Sequence, residues 1–163
     1  MEEKLVKVLF ELDSSDWHST SVESVWAERV SEQSDAVFAV RNTPFYAKGV
    51  SFLDVVKVQE SKEHEGIYYF AGIIERSGHS TYRILVSPHS SKFEKYWKQL
   101  EHLGCSYESG TEKMSDGKKI LYAIDVPTET DVYEVYDILE EGEEKDVWVF
   151  EEGHVGHPLK NAQ

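Results

Sequence analysis

An α+β fold in two unequal halves is the architecture this sequence predicts, and three observations lead to it. Residues 1–78 hold five β-rich runs separated by short polar turns and show no helical period. Residues 79–153 alternate strand-like and helix-like segments. Between them, Ile67–Ser87 carries two β-rich runs that meet at a small polar break, Ser77-Gly78-His79-Ser80. Short strands without helices predict a small β-barrel or a bent antiparallel sheet for the first half. The order strand, helix, strand, strand, helix, strand predicts a ferredoxin-like βαββαβ second half, with both helices on one face of a four-stranded antiparallel sheet. No repeat or low-complexity linker separates the halves, so they are expected to pack as one rigid body, with 154–163 as a loose tail.

Leu5–Leu12 reads as the first strand, and the turn-forming side chains of Asp13-Ser14-Ser15-Asp16 end it. Val22–Val30 is the second strand. Ala36–Arg41 is the third, bounded by Ser34-Asp35 and Asn42-Thr43-Pro44. Pro44 and Gly49 punctuate a loop over Phe45–Ser51. Phe52–Gln59 forms the fourth strand around Val55, Val56 and Val58, and the charged turn Glu60–Glu65 leads into the fifth, Ile67–Arg76. Thr81–Val86 opens the second half. Ser90 or Ser91 can cap a helix in which Phe93, Tyr96, Trp97, Leu100 and Leu103 recur at helical spacing and Gly104 provides a stop. Cys105–Ser109 is a short strand, Asp116-Gly117 a hairpin turn, and Ile120–Val126 a strong strand. Thr128, with Asp131 three residues on, predicts the start of a second helix. Its buried stripe is expected at Val132, Val135, Tyr136 and Leu139, with Gly142 as its end. Val147–Phe150 is the last strand.

The net charge is −14. From Asp125 to Glu152 there are twelve acidic residues against one lysine, so most of the excess sits in one segment. Such a field repels nucleic acid and anionic membranes and steers basic partners toward it. No window approaches the ~18 apolar residues of a membrane span. The N-terminus lacks the basic and apolar regions of a signal peptide, and Cys105 has no second cysteine to pair with. A cytoplasmic location is the expectation.

Three clusters could carry chemistry. In Ser77–Arg83, Gly78 permits unusual dihedrals, His79 can move a proton near neutral pH, and Arg83 can clamp an anion. On a strand His79, Thr81 and Arg83 would share one face, with Ser80 opposite. The loop Arg41–Tyr46, followed by Asp54, offers Asn42 and exposed aromatics for recognition; the same residues can equally satisfy a turn and plug the core. His154-x-x-His157 lacks the further ligands a zinc site needs. A phosphate loop, nucleophile elbow and CxxC pair are all missing. Neither a metal nor a cofactor is implied, and catalysis is not the leading expectation.

Trp26-Ala27-Glu28, Asn42–Ser51 with Asp54-Val55-Val56, and Ser77–Arg83 resemble the signature blocks of a bacterial family, domain of unknown function 4265. Leu103-Gly104-Cys105 and Ile124–Pro127 are similar to its weaker second half. The resemblance spans roughly Val25–Phe150 and implies a small bacterial protein without implying a reaction. Two functional expectations follow from the residues. The first is a cytoplasmic immunity or inhibitor protein that presents Glu134, Asp137, Glu140, Glu141, Glu143 and Glu144 to a basic, toxin-like partner. The second is a small-molecule-binding protein or enzyme built on a His79/Arg83 cleft with Ser80, Thr81, Asn42 and Asp54.

Overall fold

The computed structural model describes residues 5–160. The first half is a closed five-stranded barrel of β1 (Leu5–Glu11), β2 (Val22–Arg29), β3 (Val37–Val40), β4 (Val55–Glu60) and β5 (Ile67–Glu75). Neighbours pair antiparallel from β1 through β5, and β1 and β5 close the ring in parallel, Val8 opposite Tyr68. Period-two alternation sends Val8, Phe10, Val25, Ala27, Phe38, Val40, Val56 and Val58 inward to a dry core. Register shifts in the β4–β5 pair supply the bend that closure demands.

The second half contains β6 (Ser80–Val86), α1 (Phe93–His102), β7 (Ser106–Met114), β8 (Gly117–Val126), α2 (Val132–Glu144) and β9 (Trp148–His154). Its strand order, β7-β8-β6-β9, with every pair antiparallel, is the ferredoxin-like order. Tyr82, Ile84, Val86, Tyr122, Ile124 and Val126 form one core with Trp97, Leu100, Val132, Val135 and Leu139, so both helices cover the same face. The opposite face carries Thr81, Arg83, Leu85, Ala123 and Asp125, and the loops of the barrel rest on it. β5 and β6 lie in different sheets, and the chain passes between them at residues 76–79, one residue earlier than expected. Gly78 there has φ +91°, a conformation that favours glycine.

Several local expectations are corrected. Neither Ser90 nor Ser91 caps α1; the N-cap position is Lys92, and no side chain caps it. β7 runs through Met114 because its hairpin with β8 pairs continuously out to Gly117. Asp131 caps α2 by accepting from the Tyr133 N–H, while the Thr128 hydroxyl turns to Glu129. Gly142 lies inside the helix and does not end it. A Cβ there would sit 2.3 Å from Trp148 Cε2, so the absent side chain is what lets the indole pack and donate to the Leu139 carbonyl at 2.9 Å. Tyr136 is 37% exposed and leans edge-on against Phe150, leaving the buried stripe to Val132, Val135, Leu139 and Gly142. Of the expected loose tail 154–163, His154 ends β9, residues 155–157 are fastened to the joint and 161–163 lie outside the described residues. Gly156 packs on the His79 carbonyl, where a Cβ would come within 2.3 Å, and His157 is buried.

Candidate functional site

The joint between the halves is built around buried charges, and Arg83 is the one whose hydrogen bonds reach into both halves. Arg83 on β6 is 1% exposed. Its Nε donates to Glu151 Oε1 on β9 at 2.9 Å. Its Nη atoms donate to the carbonyls of Ala47 (2.9 Å), Tyr46 (3.2 Å) and Pro44 (3.3 Å). One guanidinium thus ties the sheet to the barrel loop 44–47. The far side of that loop is held by Glu23 of β2, which accepts the N–H groups of Phe45 (2.6 Å), Ala47 (2.8 Å) and Tyr46 (3.0 Å). A buried carboxylate that accepts three backbone donors is well satisfied without a cation.

Asp54, fully buried, performs the same task beside it. It accepts from the N–H groups of Ser51 (2.9 Å) and Ser77 (2.8 Å) and from Arg76 Nη1 (3.2 Å). This hook bends the chain so tightly that Leu53 adopts φ 68°. Thr81 and Ser51 exchange a hydroxyl hydrogen bond of 2.7 Å across the joint. Ser80, also fully buried, faces the other way. Its hydroxyl lies 2.6 Å from His157 Nδ1 and accepts from the Gly156 N–H at 2.9 Å. His157 Nε2 lies 2.7 Å from the Pro127 carbonyl. A carbonyl only accepts, so Nε2 carries the proton and the Ser80 O–H donates to Nδ1.

His79 sits apart from Arg83. Its Nδ1 lies 2.9 Å and 3.2 Å from the two oxygens of Asp125, and its ring stands edge-on to Phe52. Burial pushes the Asp125 carboxyl above its ordinary range, with the His79 contact working against that shift. Beside Asp125 opens a cavity of about 130 Å³. Arg41, Asn42, Thr43 and Phe52 line it from the barrel; Ser106, Tyr107, Glu108 and Asp125 line it from the sheet. Asn42 Oδ1 accepts from the Trp26 N–H at 2.7 Å, and Glu108 Oε2 accepts from the Thr43 N–H at 2.5 Å. Arg83 lines a different cavity, of about 210 Å³, with Trp17, Leu85, Leu121 and Val149.

Of the ligand-site residues expected from sequence, Asn42 lines the small cavity and His79 stands behind it through Asp125. Ser80, Thr81, Arg83 and Asp54 are buried with their polar groups bound to the protein itself. The sequence reading passes over Glu23 and Glu108, and it weighs His157, with Glu151 nearby, only as a metal ligand. Only Asp125, a lone charge within Ala123-Ile124-Asp125-Val126, stood out as a signal that a strand reading could have used. The six acidic residues Glu134, Asp137, Glu140, Glu141, Glu143 and Glu144 are all exposed, and none forms an ion pair among the described residues. No group of three or more metal-ligating side chains converges among the described residues, and no helix there is long and apolar enough to cross a membrane.

A family model described as "Domain of unknown function (DUF4265)" matches residues 23–150. No curated protein matches the chain. A solved structure, described as a novel crystal structure of a hypothetical protein from Neisseria gonorrhoeae, is similar with a TM-score of 0.68 at 16% identity; the match covers 97% of this chain and 99% of that one. At that identity the likeness speaks to the fold alone.

Proposed function

For a chain that belongs to the DUF4265 family, we propose a protein-interaction role in which the acidic outer face of α2 meets a basic protein partner. Its most concrete form is a cytoplasmic immunity or inhibitor protein that neutralises a basic, toxin-like domain. The observation that supports this reading is the set of six exposed carboxylates on α2 that form no ion pair among the described residues. Like charges at this density repel one another, a cost that a steering surface for a cationic partner would offset on binding. Exposed Tyr133 and Tyr136 lie among these carboxylates and supply the aromatic contact area that interfaces favour. The alternative, an anion-binding or catalytic cleft at His79 and Arg83, has less support. The Arg83 donors are spent on Glu151 and three carbonyls, and His79 lines neither the cavity at Arg83 nor the one at Asn42.

The test is association kinetics with a partner recovered from native cells. Association should slow as salt rises, because screening acts over about 10 Å at 0.1 M. Reversal of Glu134, Asp137, Glu140 and Glu141 to Lys should slow it at least about tenfold while the fold is kept. Association that ignores both salt and charge reversal would leave the face a solubilising surface only.

A further inference from the structure

We propose that the cavity between the barrel and the sheet, lined by Glu108, Asp125, Phe52 and Tyr107, is a seat for the guanidinium of an arginine side chain of the basic partner. The inference rests on the interaction role above and names an anchor point for it. The charges around the cavity favour a cation. Arg41, which also lines the cavity, is already answered by Glu28 Oε2 at 3.1 Å. Glu108 is met by the Thr43 N–H and by no cation among the described residues. Asp125 meets the His79 ring and no other side chain by hydrogen bond among the described residues. Two carboxylates therefore line a space whose one arginine is engaged with a residue outside the lining.

The geometry favours a planar cation over a point charge. Glu108 pairs with Ala123, and Asp125 lies two residues on along β8, so the two carboxylates spring from diagonal positions on one face of the sheet. Such positions are about 7–8 Å apart, a span that suits the fork of five guanidinium donors better than one ammonium. Phe52 lines the same space, where a guanidinium can stack on its ring, while Tyr107 contributes its backbone and turns its own ring to the other face of the sheet, edge-on to Trp97 and Tyr122. A volume of about 130 Å³ admits the head of a side chain. The Asn42 amide N–H₂, with its Oδ1 already engaged by Trp26, and the Ser106 hydroxyl complete a polar rim.

The probe is N-acetyl-arginine amide titrated into the full chain and followed by amide chemical shifts. Its neutral isostere N-acetyl-citrulline amide and N-acetyl-lysine amide serve as comparisons. Saturable shifts are expected at Asn42, Thr43 and Ser106–Glu108, with arginine binding at least about fivefold tighter than lysine and citrulline giving none. Glu108→Gln keeps an acceptor for the Thr43 N–H and should weaken arginine at least about fivefold. Asp125→Asn should do the same, so a folding defect in one variant does not decide the result. Equal binding of citrulline, an unchanged Glu108→Gln, or shifts that spread over α2 without saturation would each overturn the proposal. The α2 charge-reversal variant should bind the probe as the wild type does. If it does while partner association ignores that reversal, the α2 reading fails and the cavity stands. If the probe does not bind while partner association responds to the reversal, the cavity fails alone.

Discussion

Replacing Arg83 with methionine removes the guanidinium that fastens the sheet to the barrel while keeping an apolar stem of similar length. The structure sets the size of the effect. One charge-assisted bond to Glu151 and contacts to three carbonyls disappear, and hydrogen bonds to a charged group contribute about 1.5–3 kcal/mol each when removed singly. They are not additive, because the carbonyls of Pro44, Tyr46 and Ala47 belong to one loop and relax together. Breaking a buried ion pair on one side costs about 3–5 kcal/mol. The Glu151 side chain is 27% exposed and can recover water, which moves the expectation to the lower end, about 3 kcal/mol. For a chain of this size that lowers Tm by on the order of 10 °C. Arg83→Lys keeps the charge but cannot reach all four acceptors, so roughly half the loss should remain. Urea unfolding followed by tryptophan fluorescence measures both, and amide exchange at Phe45–Ala47 reports the loop. A loss below about 1 kcal/mol for Arg83→Met, with unchanged exchange in the loop, would refute the assignment of Arg83 as the joint's fastener.

Three further outcomes are expected. Gly142→Ala should destabilise by about 1–3 kcal/mol in urea unfolding, although alanine favours helices, because its Cβ would collide with the Trp148 indole; a gain in stability would contradict the packing described. Glu23→Ala strands the N–H groups of Phe45, Tyr46 and Ala47 and should cost about 3 kcal/mol, with Glu23→Gln intermediate and amide exchange in 45–47 accelerated. Burial pushes the Cys105 thiol from 9.0 up to about 12, so the folded state holds its proton more tightly than the unfolded chain. That contribution is complete below pH 9 and is lost as pH rises toward 12, at about 1.4 kcal/mol per pH unit. Stability curves of wild type and Cys105→Ala should therefore converge above pH 9, and parallel curves would count against a buried thiol.

The strand and helix order was legible because it depends on local pattern. Alternation in Leu5–Glu11 and the helical recurrence of Tyr96, Trp97 and Leu100 each fix a face without help from distant residues. Errors arose where a distant partner decided. Gly142 looks like a helix stop until Trp148 is known to need its space. Tyr136 fits the stripe by spacing, yet its ring lies half out, edge-on to Phe150 on the edge strand β9. The joint was half legible. The cluster Ser77–Arg83 was correctly seen as unusual, but the residues that meet Arg83 lie 68 and 36 to 39 positions away. Nothing local distinguishes an arginine that will grip a loop from one that awaits an anion.

The parallel seam between β1 and β5 sets an order of events during synthesis. Ile67 follows its partner Lys7 by 60 residues, so at about 5–20 residues per second the free edge of β1 stands open for several seconds after β1 and β2 can pair. An open edge is a template for any passing strand. Lys7 sits on that edge, exposed, with its ammonium 5.2 Å from the Trp26 ring. A lysine in the strand whose edge waits is the kind of charge that discourages a foreign strand from pairing there before the fifth strand arrives.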